Sequence, residues 1–409
     1  MDSRFEAYAR LAVEVGVNAQ ANEPVVINAP VSAVDFVRLL TRFAYERGAS
    51  EVFVRWVDEI VERLYMEHAS TDALTTVPEW LIDSIRYYYE KGASVISVIA
   101  NDPDMLKGIP MDRIAAANKA RGEKMRPLMH YTMNDELAWT IVALPTPAWA
   151  KKVYPEAANE EQAVETLWNQ IMEVTRMNEK DPIAAWEKHI KKLNERAEVL
   201  NHYHFRSLHY TSSNGTDLEV ELPEKHVWLA ATSKNAKGTE FLPNIPTEEV
   251  FTAPHREGVN GTLIATKPLA YQGNVINHFR LRFEAGKVVD FDAEEGKDAL
   301  AALLEQDENA VRLGECALVP YDSPISNSNT LFYETLFDEN ASCHFAFGAC
   351  YPTNFAGGAE LSREELEKIG GNDSQVHVDF MVGAADLNIV GTTQDGRKVD
   401  VFQNGNFVI

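Results

Sequence analysis

Helical and strand-like segments alternate through the first half of the chain, and this alternation restricts the possible folds more than any other feature of the sequence. Apolar runs of strand length at residues 24–28 and 93–100 are separated by helical periodicity at residues 31–47 and 77–91, each followed by glycine. Strands that are separated by helices of this length pair in parallel through right-handed crossovers. The pattern therefore predicts an α/β N-terminal domain with a mostly parallel sheet. The same criteria predict a helix over residues 5–15, strands over 51–57 and 138–144, and long helices over 160–177 and 182–200.

Beyond about residue 205 the pattern changes to short alternating segments that are separated by turn dipeptides. These dipeptides are Asn214-Gly215, Ala285-Gly286, Asp395-Gly396 and Asn404-Gly405. Such pairs between alternating apolar and polar residues predict β-hairpins, and one clear helix is predicted over residues 297–305. We therefore expect two domains, an α/β domain over residues 1–215 and a mixed α+β domain over residues 216–409.

The charge and the cysteines narrow the possible partners and compartments. The 409 residues include 62 Asp and Glu against 38 Lys and Arg, a formal net charge of -24. This charge repels phosphate backbones and anionic lipid headgroups, so neither nucleic acid nor a membrane surface is an expected partner. The acidic N-terminus is unlike a signal peptide, and no apolar run approaches the ~18 residues of a membrane span. The three cysteines form no disulfide pattern, which indicates a reducing, cytoplasmic compartment.

Histidine and carboxylate side chains of the C-terminal half lie at positions where polar residues are locally unusual. His377 and Asp379 begin an apolar run, and on a strand they share a face, so one imidazole and one carboxylate can bind the same ion. Glu315 lies within the apolar residues 313–319, and Glu249 precedes another apolar segment. A carboxylate that enters a buried strand is expected to be neutral, paired or bound to metal. Mixed imidazole and carboxylate ligands suit zinc, cobalt or manganese better than calcium.

A polar segment at residues 337–344 adds further acids and His344, and Tyr351 follows it closely. Taken singly, each candidate has an ordinary structural role open to it. These roles are a hydrogen-bonded strand pair, a buried salt bridge, a helix cap or, for Tyr351, core packing. The combination of the candidates, rather than any single residue, therefore carries the functional argument.

Four separated segments, in this order along the chain, resemble the thermophilic-type metallo-aminopeptidases, the family of aminopeptidase T, aminopeptidase S and PepS. They begin with Asn-Ile-Pro-Thr-Glu-Glu-Val-Phe-Thr-Ala-Pro-His at residues 244–255 and Leu-Gly-Glu at residues 313–315. The third comprises residues 329–332 together with Asp-Glu-Asn-Ala-Ser-Cys-His at residues 338–344, and the fourth is Ser-Gln-Val-His-Val-Asp-Phe-Met at residues 374–381. The resemblance extends over nearly the whole chain.

This resemblance implies a pair of divalent ions in each C-terminal domain, cleavage of the free N-terminal residue from a peptide, and a homodimer that encloses a cavity. Tyr351 matches a position close to the metal, where it is also a candidate catalytic residue, and Glu339 matches a less certain additional ligand. The remaining matches imply that the metal ligands are Glu249, Glu315, His344, His377 and Asp379.

The resemblance identifies neither the bridging carboxylate nor the general base. We expect Glu315 to bridge, because it lies between the Glu249 and His344 segments in chain order, and we expect Glu248 to act as a catalytic proton shuttle beside a ligand. Two other functions remain open at this point. The first is a two-metal amidase or phosphoesterase, although the absence of an Arg or Lys cluster near the ligand segments disfavours phosphate. The second is a metal-stabilised or peptide-binding protein without catalysis.

Overall fold

The structure is a computed structural model that describes residues 3–409, and it is a mixed α/β protein with two compact units. The first unit extends to Glu187 and also includes Thr232–Pro246, whereas the second contains Lys188–Ala231 and Thr247–Ile409. The boundary that we expected near residue 215 falls inside the second unit. There it lies in the turn of a hairpin, because the strands on its two sides pair with each other.

Four parallel strands form the centre of the first unit, which confirms the predicted parallel sheet. In their order across the sheet they are Glu51–Val57, Pro24–Pro30, Ser94–Ile99 and Trp139–Ala143. The first strand along the chain lies between the second and the third. The winding direction therefore reverses between Pro24–Pro30 and Ser94–Ile99, at a topological switch point.

Helices precede, connect and follow these strands, and the predicted ones are present with slightly different bounds. The helix expected over residues 31–47 consists of a 3₁₀ turn, Val31–Ala33, followed by Val34–Glu46. The other predicted helices are Ser3–Leu11 with a π turn at Ala12–Gly16, Glu79–Glu90, Glu160–Val174 and Pro182–Tyr203. Further helices, which the sequence analysis did not predict, are Glu59–His68, Thr71–Thr75, Met111–Met125, His130–Met133 and Pro147–Val153.

A large antiparallel sheet in the second unit contains the predicted hairpins. Each of the four turn dipeptides connects two adjacent antiparallel strands, as expected. Across the sheet the strands are Leu269–Tyr271, Asn274–Glu284, Val259–Ile264, Asp217–Glu221, Ser207–Thr211, Asn388–Thr392, Lys398–Gln403 and Asn406–Phe407, and Lys287–Glu295 pairs with Asn274–Glu284. Two short strands of the first unit, Ser233–Lys234 and Glu240–Phe241, form a separate pair.

A second antiparallel sheet, which we name the site sheet, lies in the interior of the second unit. Its strands, in order, are His377–Met381, His344–Gly348, Leu313–Leu318 and Val250–Thr252. All residues of the two middle strands are buried. The helices of this unit include the predicted Lys297–Leu304 and the short Pro324–Asn327, Thr335–Asp338 and Arg363–Lys368. Within residues 3–409, no helix combines the length and the low polarity that a bilayer span requires.

Candidate metal centre

Strand register brings the predicted histidines and carboxylates together on one face of the site sheet. Ala346 is paired with Glu315 on one side and with Asp379 on the other, so these three side chains form a row across the sheet. His344 and His377 lie two residues before Ala346 and Asp379 and therefore share their face. Because Ala346 has only a methyl group, space remains between the two carboxylates.

Glu249 directly precedes the fourth strand of the sheet and reaches the same face. Phe251, two residues further along the chain, is paired with Ala317, which lies two residues after Glu315. Paired residues and residues two apart share a face, so Glu249 and Glu315 point the same way. All five residues for which the resemblance implies metal binding thus meet on this face.

Two glycines allow the strands to approach closely at this site. The strand register shifts between Leu313 and Glu315, and a Cβ atom on Gly314 would lie 2.2 Å from the carbonyl oxygen of Ala349. Gly348 has a φ of +92°, and a Cβ atom there would lie 2.1 Å from the Val376 carbonyl oxygen. Both positions exclude any side chain, which explains the glycine in the Leu-Gly-Glu motif.

The facing side chains form two clusters that share Glu315. In the first, Nε2 of His344 lies 3.1 Å from Oε2 of Glu249 and 3.6 Å from Oε1 of Glu315. In the second, Nε2 of His377 lies 3.4 Å from Oε2 of Glu315 and 3.5 Å from Oδ1 of Asp379. Within each cluster, one potential ligand atom of every member lies within 4.8 Å of the others. Glu315 therefore presents a different oxygen to each imidazole.

The second nitrogen of each imidazole is held by a backbone carbonyl. Nδ1 of His344 lies 3.1 Å from the oxygen of Ser342, and Nδ1 of His377 lies 2.7 Å from the oxygen of Ala349. Because a carbonyl oxygen only accepts hydrogen bonds, Nδ1 carries the hydrogen, and Nε2 of a neutral ring directs its lone pair at the carboxylates. A lone pair and a carboxylate oxygen attract each other only through a proton or a cation between them. This is the arrangement of metal-binding histidines.

Burial and the neighbouring charges shift the pKa values of this site in a way that favours bound positive charge. Burial raises the pKa of Glu249. Burial acts in the same direction on Glu315, but hydrogen bonds from both imidazoles outweigh it and lower the pKa of Glu315 to about 2. Burial tends to lower the pKa values of both histidines. Carboxylate neighbours nevertheless raise the pKa of His344 well above the usual histidine value, and Tyr351, followed by carboxylate neighbours, does the same for His377. Without metal ions, the site thus retains protons on its imidazoles.

Glu339 and Tyr351 lie at the periphery of the two clusters. The Tyr351 ring packs edge-on against the His377 ring at 4.9 Å between centroids. Its pKa is raised, because burial and the nearby carboxylates outweigh the opposing effect of His377. Burial, followed by the charges of Asp379 and Glu249, raises the pKa of Glu339 well above the usual carboxyl value. Both residues are close enough to the clusters for their charges to interact with them.

Glu248 points to a different environment from that of Glu249. One of its carboxylate oxygens lies 3.5 Å from Nε2 of His189, on the helix Pro182–Tyr203, and that nitrogen donates a hydrogen bond to the carbonyl oxygen of Thr247 at 2.8 Å. Its backbone N–H donates to Oδ1 of Asn340 at 2.7 Å, and Nδ2 of Asn340 donates to Glu339 at 3.4 Å. Asn340 thereby joins the segments that carry Glu249 and Glu339.

The sequence analysis assigned no role to His189 or Asn340. Asn340 follows Glu339 directly in the polar segment at residues 337–344, and its complete burial is the structural sign of its importance. The chain offered no comparable signal for His189, which is one histidine among eleven and lies on a helix far from the motifs.

In comparisons with known proteins, the family match and the similar sequences agree with each other. The family described as thermophilic metalloprotease (M29) matches residues 1–407. The chain is 49% identical to aminopeptidase AmpS of Bacillus subtilis over 100% of both sequences, and 46% identical to aminopeptidase 2 of Geobacillus stearothermophilus over 99% of this chain and 98% of that one.

Solved structures agree with these matches. Wild-type AmpT from Thermus thermophilus superposes with a TM-score of 0.93 at 40% identity and covers 100% of this chain and 99% of its own. A 2,5-dihydroxypyridine dioxygenase from Pseudomonas putida reaches a TM-score of 0.51 at 12% identity over 99% of this chain and 96% of its own, a similarity of fold alone. Because one fold can carry different chemistry, the site and the close relatives, not the fold, indicate the activity.

Proposed function

This chain belongs to the thermophilic metalloprotease (M29) family and is a metallo-aminopeptidase, and from this premise we propose that it acts through two divalent ions that share Glu315. The observation that carries the proposal is the orientation of Glu315, whose two oxygens lie 3.6 and 3.4 Å from different imidazoles. A carboxylate with this orientation is suited to bridge two ions. We assign Glu249 and His344 to one ion and His377 and Asp379 to the other.

The charge of the site supports two ions rather than one. The carboxylates of Glu249, Glu315, Glu339 and Asp379 carry four negative charges when ionised, and the two imidazoles are neutral when they bind metal. Two divalent ions neutralise these charges, whereas a single ion leaves two buried charges uncompensated, at a cost of several kcal/mol each. We include Glu339 as an additional ligand on this ground.

When bound, two divalent ions lower the pKa of a water molecule, polarise the scissile carbonyl group and bind the α-amine of a peptide. The chain's own residues orient the reaction. The carbonyl groups of Ser342 and Ala349 hold both imidazole rings so that Nε2 faces the site. We assign proton transfer to Glu248, a buried carboxylate that directly precedes Glu249 in the chain.

Tyr351 is assigned a hydrogen bond to the substrate at the edge of the site. Its ring packs against His377, and the phenol is a neutral donor suited to a carbonyl oxygen that gains negative charge. Substrates in this proposal are peptides with a free N-terminus, from which the terminal amino acid is released.

The identity of the ions, the assembly and the compartment are parts of the same proposal. We propose zinc, cobalt or manganese, because imidazole together with carboxylate suits these metals. The family resemblance implies a homodimer, which light scattering of the purified protein measures directly. Cytoplasmic localisation is supported by three cysteines that are buried free thiols.

The test combines metal removal with a panel of substrates. We expect prolonged chelation to abolish hydrolysis of a leucine arylamide, and zinc, cobalt or manganese to restore it. N-acetylation of that substrate should slow cleavage at least ~100-fold, about 2.7 kcal/mol of transition-state binding, if a free amine is held in the site. An aryl phosphate is the control for phosphoesterase chemistry. Full activity in metal-free protein, or equal rates for free and acetylated substrates, contradicts the proposal.

The Glu248→Gln variant tests the assignment of proton transfer. It keeps the size of the side chain but removes its ability to accept a proton, so kcat should fall by ~100-fold or more while metal content remains that of the wild type. Unchanged kcat in this variant removes Glu248 from the mechanism without affecting the metal assignment.

A further inference from the structure

Arg55 is a half-buried cation in the first unit, far along the chain from the metal ligands, and it has no counter-ion among the residues that the structure describes. Although the chain has 62 acidic residues, none of those within residues 3–409 forms an ion pair with Arg55. Burial lowers the pKa of Arg55, and the neighbouring Tyr89 opposes this effect. Because arginine is rarely buried without a partner, a half-buried guanidinium that faces only neutral groups indicates a missing anion.

Arg55 belongs to a row of polar residues across the parallel sheet. Asn28 is paired with Arg55 on one side and with Ser97 on the other, so the three side chains lie next to each other on one face. Strands of a parallel sheet are usually apolar on both faces, because helices cover them. Three polar side chains in a row are therefore unusual in such a sheet, and packing alone does not require them.

Hydrogen bonds within the row run in one direction. Nη1 of Arg55 donates to Oδ1 of Asn28 at 3.0 Å, and Nδ2 of Asn28 donates to Oγ of Ser97 at 3.3 Å. The orientation of the amide is fixed, because a guanidinium cannot accept a hydrogen bond.

The row consequently presents hydrogen-bond donors. The side-chain oxygens of Asn28 and Ser97 already accept hydrogen bonds within the row. By contrast, several donors have no acceptor among the side chains and backbone of residues 3–409. These donors are Nε and Nη2 of Arg55 and the hydroxyl groups of Ser97 and Tyr89. A ligand for this face must therefore supply acceptors and negative charge.

The row also lies where α/β sheets bind ligands. Asn28 and Ser97 are on the two strands between which the winding direction reverses, each in the second half of its strand. The crevice at the carboxyl ends of strands beside such a reversal is the usual ligand site of open parallel sheets.

We propose that Arg55, Asn28 and Ser97, with Tyr89 beside them, form a binding site for a carboxylate. A carboxylate has only acceptors, and its two oxygens match the fork of donors on a guanidinium. Two sources of carboxylate arise from the proposed function, on which this part of the inference rests: the free amino acid that each turnover releases, and the C-terminus of a peptide that binds here by that end alone.

The binding test uses calorimetry on the full-length, metal-loaded protein with N-acetylleucine and with its uncharged amide. Neither probe has a free amine. Wild-type protein should bind the acid at least tenfold more tightly than the amide, and Arg55→Met should remove this preference. The control is Arg38→Met, because Arg38 is exposed in the same unit and pairs with Asp35 at 2.8 Å. A second variant, Ser97→Ala, removes one donor and should weaken binding of the acid by about tenfold.

Two further measurements distinguish the sources of the carboxylate. If the site binds the C-terminus of a peptide, the ratio of the calorimetric affinities for an N-acetylated leucine tripeptide and its C-terminal amide should change in Arg55→Met. If it binds the released amino acid, the affinity for free leucine should change instead. A preference for N-acetylleucine that persists in Arg55→Met, or its absence in the wild type, overturns the proposal. Failure of the proposed function appears separately, as a wild-type enzyme that does not hydrolyse leucine arylamide.

Discussion

Replacing Glu315 by Gln is the sharpest test of a shared ligand, because it removes one charge and retains the size of the side chain. Glutamine has one acceptor oxygen and one NH₂ group, so it cannot present acceptors to both clusters. If the wild type holds two ions per chain, as proposed, we expect the purified variant to hold at most one. The kcat/KM value should fall at least ~1000-fold, about 4 kcal/mol of transition-state stabilisation.

The same variant changes the acid stability of the metal-free protein by an amount that follows from the site. The imidazoles of His344 and His377 lower the pKa of Glu315 from 4.5 to about 2, despite the opposing effect of its burial. Between these pH values the unfolded chain binds more protons at this position than the folded chain. The resulting stabilisation is therefore fully present above pH 4.5 and is lost as the pH falls toward 2; it amounts to about 3 kcal/mol.

Two assays measure these effects. Elemental analysis gives the number of ions per chain, and denaturant unfolding of chelated protein at several pH values gives the free energy of unfolding. In Glu315→Gln the free energy of unfolding should lack the contribution of about 3 kcal/mol that the wild type loses on acidification. Glu364→Gln, an exposed position in the same unit, should lose stability on acidification as the wild type does. Two retained ions together with an unchanged kcat/KM in Glu315→Gln would refute the shared-ligand reasoning.

Two other regions of the site sheet give further predictions. His377→Ala and Asp379→Ala should each lower metal content and kcat. Val378→Ile, on the opposite face of the strand, should retain the metal content and kcat of the wild type. Wild-type rates in a folded alanine variant would mean that His377 and Asp379 have a structural role only. Gly314→Ala should cost about 3 kcal/mol or more in the free energy of unfolding, because its methyl group would lie 2.2 Å from a carbonyl oxygen. Gly122→Ala, which meets no atom within 4 Å on a helix, is the matched control, and equal thermal unfolding of these two variants would be inconsistent with the close approach.

Local signals in the sequence predicted much of the fold. Each turn dipeptide, such as Asn214-Gly215, encodes its own hairpin, and the alternation of helices and strands determines the parallel sheet. Helix Glu59–His68 escaped prediction because it buries only Met66, while Ile60 is 74% exposed. Apolar residues that face solvent obscure the helical period on which such a prediction depends.

Part of the candidate site could be predicted from local sequence patterns, and the rest depends on contacts between residues that are distant in the chain. The two-residue period of a strand predicted that His377 and Asp379 share a face, and in the structure Nε2 of His377 lies 3.5 Å from Oδ1 of Asp379. The expectation that Glu315 bridges the clusters rested on chain order, whereas its actual position depends on pairing with Ala346. Such pairing joins strands about thirty residues apart and is absent from any local pattern, so only the family resemblance united these residues at the sequence level.

The geometry of the site also links metal binding to protons. Nearby carboxylates raise the pKa of His344 well above the usual histidine value, and Tyr351 together with nearby carboxylates raises that of His377. In the metal-free protein both rings therefore hold protons on the nitrogens that face Glu315. An ion can bind these nitrogens only after the protons have left. Metal affinity must therefore rise with pH, and because Glu315 belongs to both clusters, loss of the proton from one ring changes the charge that the other ring experiences. The shared carboxylate thus couples the titration of the two clusters.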